Sequence, residues 1–172
     1  MPLAAPVQPL LALLDEMRQM IERMDDDTYT LPAPGRVSGG VGSHVRHCLD
    51  HVGVLVHAAR TGICEYDRRR RGTDVERCRA AAISQIGRLC EQLVAFDDAQ
   101  LDDPLLVETQ IDPKGAMILT RSSMCREVAF VVSHTIHHNA IVAQLLRARG
   151  DDVGDRFGLA PATPREPVPC AR

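Results

Sequence analysis

Aromatic side chains are scarce in this sequence of 172 residues: they make up 3% of it, and there is no tryptophan. β-Sheets are enriched in aromatic residues, whereas leucine and alanine favour helices. Leu, Val, Ile and Ala carry most of the apolar content, which is 45% of the chain. The composition therefore predicts an all-α protein, and the length fits one domain, residues 1–172, with a core of its own.

The sequence also lacks an excess of positive charge and any long apolar run. Its 20 Lys and Arg are outnumbered by 23 Asp and Glu, for a net charge of −3, so it has no basic field for nucleic acid. No stretch approaches the about 18 apolar residues of a membrane span. The apolar residues 1–14 have no basic leader, which predicts a helix start and not a signal peptide. We expect a cytoplasmic protein with neither nucleic acid nor a membrane as its partner.

The six cysteines form no C-x-x-C pair, so they provide neither a zinc-knuckle spacing nor a redox dithiol. In the cytosol they are expected to stay reduced. Four of them fall inside helical patterns, where a thiol usually behaves as a small buried apolar side chain. These are Cys48, Cys78, Cys90 and Cys125.

Four segments carry apolar residues at three- and four-residue spacing, which is typical of helices with one buried face. They are residues 7–24, 42–60, 74–96 and 123–149. Residues 25–40, rich in Asp, Pro and Gly, predict a loop, and Gly62 is placed to cap the second helix. The simplest packing of four such helices is a four-helix bundle.

The connection between the third and fourth helices has a different pattern. Two β-prone runs, 105–111 and 116–120, flank the turn sequence 112–115, which predicts a long loop or a small hairpin. Near the end the chain is rich in Pro and Ala, so the tail 155–172 is predicted to be irregular.

All seven histidines fall on two of the predicted helices, and this clustering is the strongest functional signal in the sequence. The second helix holds His44, His47, His51 and His57, and the fourth holds His134, His137 and His138. Residues four apart differ by about 40° around a helix, so His134 and His138 project from one face and can grip one metal ion. Buried imidazoles without partners would cost about 1–3 kcal/mol each. The alternative to a metal ion is a set of hydrogen-bonded core histidines.

The second helix offers three candidates for a further ligand, because His44, His47 and His51 share one face within about 60°. We predict His47, the middle residue, as the third ligand, with His44 or His51 able to replace or assist it. Glu127 lies two turns before His134 on the same face and is a candidate ligand, orienting carboxylate or base. We predict Glu127 and His51 as the groups that move protons.

Other polar residues have simpler interpretations. His57 and His137 are predicted to be surface or packing residues. The four consecutive arginines at 68–71 are typical of a solvated turn.

Two segments resemble the DinB-like superfamily of metal-binding four-helix bundles: Gly42-Ser-His-Val-Arg-His-Cys-Leu-Asp-His51 and Ser133-His-Thr-Ile-His-His138. The resemblance extends over nearly the whole chain. It implies one histidine ligand on the second helix, matched by His47, and an H-x3-H pair on the last, matched by His134 and His138. It also implies relatives that act with low-molecular-weight thiols, as S-transferases or a maleylpyruvate isomerase, and others regarded as metal-dependent hydrolases. His44 and His51 depart from the simplest family pattern.

Three neutral imidazoles suit Zn²⁺ first and Ni²⁺ second, and three protein ligands leave room for a substrate. We therefore expect a metal-dependent enzyme that uses a low-molecular-weight thiol as cosubstrate and transfers it to a small molecule, since a metal ion lowers the pKa of a thiol. One alternative is a metal-dependent hydrolase, because the same ligands activate water. Another is a non-enzymatic metal- or ligand-binding stress-response module. A homodimer is expected, because such helices often pair through an exposed apolar stripe.

Overall fold

The computed structural model describes residues 5–32, 39–68 and 72–163. After a 3₁₀ turn, Ala5–Val7, the described elements follow in the order α1 (Gln8–Arg23), α2 (Asp26–Thr30), α3 (Val41–Thr61), β1 (Ile63–Glu65), α4 (Asp74–Arg77), α5 (Arg79–Val94), α6 (Asp98–Leu101), β2 (Pro104–Gln110), β3 (Met117–Ser123) and α7 (Met124–Arg147). The fold is mostly helical, as the composition predicted.

The four long helices enclose one hydrophobic core. Helix α1 packs against α5 and α7, and α3 packs against the same two helices. The apolar faces predicted from the sequence supply the core, and its fully buried side chains include Leu10, Leu14, Leu55, Ile86 and Leu93. Burial of such side chains contributes about 1.5–3 kcal/mol each before the entropic cost of ordering them.

The two histidine-bearing helices have well-defined ends. Helix α3 ends at Gly62, which adopts a left-handed φ of 74° and donates its N–H to the Ala58 carbonyl at 2.8 Å. Helix α7 begins after Ser123, whose hydroxyl accepts the N–H of Arg126 at 3.4 Å. Both features are common capping devices, and Gly62 is the cap that the sequence predicted.

The all-α expectation is wrong in one respect, because the chain also forms a three-stranded sheet in the order β1-β2-β3. Strand β1 runs parallel to β2, and β2 runs antiparallel to β3. The β2–β3 hairpin is the one predicted, and its turn is held by the Asp112 carboxylate, which accepts the N–H groups of Lys114 and Ala116. Strand β1 has only three residues. A segment this short is too small to show the alternating apolar pattern by which a strand is recognised in a sequence.

Two further predictions on the helices need correction. The predicted third helix is interrupted at Cys78, where the backbone is extended, with φ −135° and ψ 113°. Beyond this break the Arg79 guanidinium reaches the Asp26 carboxylate at 2.6 Å, an ion pair that ties α5 to α2. The predicted loop 25–40 contains α2 itself, whose first turn is capped by the Asp25 side chain at 2.7 Å from the Thr28 nitrogen.

Parts of three predictions lie outside the described residues: 33–38 of the loop, 69–71 of the arginine run and 164–172 of the tail. The described tail turns back over α7, where Gly158 lies close to the Ala140 backbone, and Val153 and Phe157 are buried. Among the described residues, no helix combines the length and apolarity needed to cross a bilayer.

A close backbone approach at Gly42 generates the first prediction. A Cβ at Gly42 would lie 2.2 Å from the Glu76 carbonyl oxygen and 3.0 Å from the Tyr29 ring, so α3 and α4 would have to separate. We expect Gly42→Ala to lower the free energy of unfolding by about 1–3 kcal/mol, measured by urea denaturation.

The matched control is Gly53→Ala, on the same helix, because a Cβ there meets nothing within 4 Å. Alanine in an open helical position stabilises by about 0.5–1 kcal/mol. A Gly42→Ala protein as stable as wild type would contradict the close packing of α3 on α4.

Candidate metal centre

Five imidazoles meet where α3 packs against α7. His44, His47 and His51 come from α3, and His134 and His138 come from α7. Each helix presents one histidine-rich face to the other, because the residues lie three or four positions apart. The pairing of the two helices therefore brings together groups that are about 90 residues apart in the chain.

The rings of His47, His134 and His138 lie close together at steep angles. Ring centroids are 4.8 Å apart for His47 and His134, 4.5 Å for His47 and His138, and 4.6 Å for His134 and His138. The corresponding interplanar angles are 68°, 77° and 58°. His134 Nε2 lies 2.9 Å from His47 Nε2. Two nitrogens that each bind one ion at about 2.1 Å lie about 3.0–3.4 Å apart, so this spacing is close to that of a shared ion and also within hydrogen-bonding distance.

His51 also belongs to the cluster. One ring nitrogen from each of His47, His51 and His134 lies within 4.8 Å of the others, so these three residues could hold a metal ion. The His51 ring is buried and stacks on His134 at 4.0 Å and 23°. Its Nδ1 lies 2.9 Å from the His47 carbonyl oxygen, which requires the proton on Nδ1 and leaves the lone pair on Nε2.

His44 contacts the cluster from one helical turn before His47. Its Nδ1 lies 3.0 Å from His138 Nδ1, and the ring centroids are 5.2 Å apart. Burial lowers the pKa of His44, and the neighbouring His137 lowers it further. The lowered pKa favours the neutral imidazole, the form that can accept a hydrogen bond or bind a metal ion.

Glu127 is fully buried and accepts three hydrogen bonds. Its donors are the Tyr66 hydroxyl at 3.0 Å, the Ser122 hydroxyl at 2.6 Å and the Arg126 guanidinium at 2.8 Å. These contacts join the end of β1, the end of β3 and the first turn of α7. Of the roles predicted for Glu127, they fit the orienting carboxylate best.

Tyr66 links this carboxylate to the histidines, and no spacing pattern in the sequence predicted this role. Its ring stacks on His51 at 5.0 Å and 13°. Burial, together with nearby Cys64 and Glu127, raises the pKa of Tyr66, so its hydroxyl stays protonated and donates. Burial also raises the pKa of Cys64 to about 11. Cys64 is therefore an uncharged thiol at neutral pH and lacks the lowered pKa that is typical of a reactive cysteine.

The remaining histidines lie at the margin. His57 and His137 are both exposed, and the His137 ring meets His138 edge-on at 5.2 Å. Of the cysteines predicted to be buried, Cys48 is buried, but Cys78 and Cys125 are exposed.

A groove of about 480 Å³ lies between α1, α7 and the tail, and its apolar walls include Leu13, Ile136 and Leu159. Ile136 is two residues from both His134 and His138, so it projects from roughly the opposite side of α7. The groove is therefore separated from the histidine cluster by the helix itself.

Comparison with known proteins agrees with this architecture. A family model described as the DinB superfamily matches residues 10–142. This chain belongs to the DinB superfamily. The crystal structure of a DinB-like protein from Bacillus subtilis is similar in fold, with a TM-score of 0.63 and 17% identity, over 86% of this chain and 93% of that one.

One curated relative of this DinB-superfamily chain is FK506-binding protein 5 from Rhizopus delemar. It is 31% identical over 102 residues, which are 59% of this chain and 26% of the relative. The match therefore spans about a quarter of the length of that protein.

The buried carboxylate network generates the second prediction. Tyr66→Phe keeps the ring on His51 and removes one donor from Glu127. A buried acceptor left without a donor costs about 1–3 kcal/mol, so we expect that loss in the free energy of unfolding, measured in urea. Thr109→Val, which removes an exposed hydroxyl, is the control and should change stability by less than about 0.5 kcal/mol. Equal stability of the two variants would contradict the network.

Proposed function

We propose that this protein is a metal-dependent enzyme whose α1, α3, α5 and α7 form a DinB-type four-helix bundle around one divalent ion. The proposed ligands are His47, His134 and His138. The observation that carries this proposal is the meeting of three imidazole rings from two separate helices, 4.5–4.8 Å apart between centroids. The family's metal-binding pattern, matched at the same three positions, supports it.

Ring orientation favours His138 over His51 as the third ligand. A metal ion lies close to the plane of each imidazole that binds it, because the nitrogen lone pair lies in that plane. The centroids of the His51 and His134 rings are 4.0 Å apart, and the rings are only 23° from parallel. Two planes so nearly parallel meet far from both rings, whereas a bound metal ion lies about 2.1 Å from each nitrogen. The steep angles among His47, His134 and His138 allow their planes to meet close by.

The donor set suits a first-row divalent cation. Three neutral imidazoles match the nitrogen preference of Zn²⁺ and Ni²⁺ and the three-ligand pattern of catalytic zinc sites. Burial lowers the pKa of His44 and so favours its uncharged form. His44 therefore adds no positive charge that would repel a cation. When bound, the ion would lower the pKa of a coordinating thiol or water molecule.

The proposed reaction is transfer of a low-molecular-weight thiol to a small electrophile. His51 is the proposed base, because its Nδ1 proton is donated to the His47 carbonyl and its Nε2 can accept a proton. The thiol proton passes to His51, the sulfur forms a bond to the electrophilic carbon, and the leaving group departs with its electron pair. His51 then returns the proton to the leaving group.

Tyr66 and Glu127 hold His51, the proposed base, in position. The Tyr66 ring stacks on His51, and the Glu127 carboxylate holds the Tyr66 hydroxyl. The three hydrogen bonds of Glu127 make it a positioning group, so we assign proton transfer to His51 alone.

The third prediction concerns metal content. We expect the untreated protein to carry about one first-row metal ion per chain, and His47→Ala, His134→Ala and His138→Ala each to lose it. His57→Ala is the control, because His57 is exposed on the same helix. Elemental analysis after purification measures the content. Added Zn²⁺ at about 100 times its Kd should add about 2.7 kcal/mol to the free energy of unfolding of wild type and of the control.

Two results would contradict this ligand set. Equal metal content in all four variants would exclude the histidine centre. Loss of metal in a His51→Ala variant, with full content in His138→Ala, would instead assign His47, His51 and His134, the group whose nitrogens lie within 4.8 Å.

The fourth prediction separates a transferase from a hydrolase. With an electrophilic substrate we expect consumption only when a low-molecular-weight thiol is added, and a product that contains its sulfur, measured by mass spectrometry. Consumption without thiol, with water incorporated, would support the hydrolase. A metal-loaded protein silent towards both would support a non-enzymatic binding module. His57→Ala should retain the wild-type rate in either case.

A further inference from the structure

The contact between His44 and His138 gives the centre an outer histidine. We propose that His44 is a positioning residue, which holds His138 for metal binding by accepting a hydrogen bond from its Nδ1; this role rests on the metal centre proposed above. The two Nδ1 atoms lie 3.0 Å apart, and the rings are tilted by 37°. Two ring nitrogens that face each other at this distance hold either a proton or a metal ion between them, since two bare lone pairs would repel. Between His44 and His138 we place the proton of His138.

The direction of this hydrogen bond decides what His138 can bind. Its Nδ1 faces His44, so a metal ion would be bound through Nε2. A neutral imidazole carries one proton, and binding of a metal ion through the lone pair of Nε2 places that proton on Nδ1. His138 must then donate and His44 must accept.

This arrangement gives His138 what metal-binding histidines normally have. Such residues donate their second N–H to a carboxylate, a backbone carbonyl or water, which sets the tautomer and the ring orientation. Here the acceptor is an imidazole on the facing helix, three residues before the ligand His47. One turn of α3 thus supplies a ligand and the partner of another ligand.

The other ring nitrogen of His44, Nε2, determines which substitution at this position tests the proposal. Its Nε2 is buried and has no hydrogen-bond partner among the described residues. When His44 accepts at Nδ1, this Nε2 carries the proton and is an unsatisfied donor, a cost that the contact with His138 must offset. Asparagine at position 44 places its carboxamide oxygen close to the position of Nδ1 and has no group at the position of Nε2.

The experiment measures Zn²⁺ affinity by competition with a chelating dye in four proteins. We expect His44→Phe, which keeps the ring volume without nitrogen, to bind Zn²⁺ about 10- to 100-fold more weakly than wild type. His44→Asn should stay within about threefold of wild type, because an acceptor remains. His57→Phe, an exposed histidine on the same helix, should match wild type. Circular dichroism of the metal-free proteins verifies that each variant is folded.

A second measurement reads the tautomers directly. In long-range ¹H–¹⁵N spectra of the Zn²⁺-loaded wild type, we expect the proton of His138 on Nδ1 and that of His44 on Nε2. Tight Zn²⁺ binding by His44→Phe, equal weakness of His44→Asn and His44→Phe, or a protonated Nδ1 on His44 would each overturn the positioning role. A wild type that binds no Zn²⁺ would overturn the metal centre itself.

Discussion

The close pairing of α3 with α7 is the constraint on which the rest of the candidate site depends. Each helix alone carries a stripe of imidazoles, and the imidazoles of a single helix can approach an ion from one side only. When the two stripes face each other, His134 Nε2 comes within 2.9 Å of His47 Nε2, and His138 Nδ1 within 3.0 Å of His44 Nδ1. Two pairs of rings thus cross the interface from one helix to the other.

The small sheet holds that pairing in register. Strand β1 follows directly on the end of α3, and β3 leads directly into α7. Because both strands pair with β2, the end of one histidine helix and the start of the other are tied to the same strand. Glu127 adds a second tie, since it accepts hydrogen bonds from Tyr66 just after β1 and from Ser122 in β3. The helices therefore cannot slide past each other without breaking a buried carboxylate network.

The sequence predicted what depends on local periodicity and missed what depends on long-range contact. The four long helical segments, the Gly62 cap and the hairpin follow from spacing and turn chemistry, and the structure contains them. The break at Cys78 could not be predicted in this way, because the stripe of apolar residues runs across it and the Arg79–Asp26 ion pair beyond it joins residues that are 53 positions apart. Strand β1 depends likewise on a partner some 40 residues away.

The candidate site shows the same division. Helical geometry placed the histidines on two faces and favoured His47, His134 and His138, and the family pattern agreed with this choice. The position of Tyr66 could not be foreseen, since its stacking on His51 and its bond to Glu127 join three separate elements. Glu127 shares a helix face with His134, as predicted, but whether it is a ligand, a base or an anchor depends on donors from β3 and the end of β1, which periodicity does not encode.

The proposed ligands are imidazoles, and an imidazole that binds a metal ion is uncharged, which bears on the chemistry that such a centre would support. A carboxylate ligand would cancel part of the charge of a divalent ion, whereas imidazoles leave it in full. The buried carboxylate near this site, Glu127, is engaged by the Arg126 guanidinium and two hydroxyl groups, so part of its charge is balanced locally. An ion held by three imidazoles would therefore strongly acidify a small molecule bound to it, and a thiol requires less acidification than water to ionise at neutral pH. This difference is the physical reason to rank thiol transfer ahead of hydrolysis.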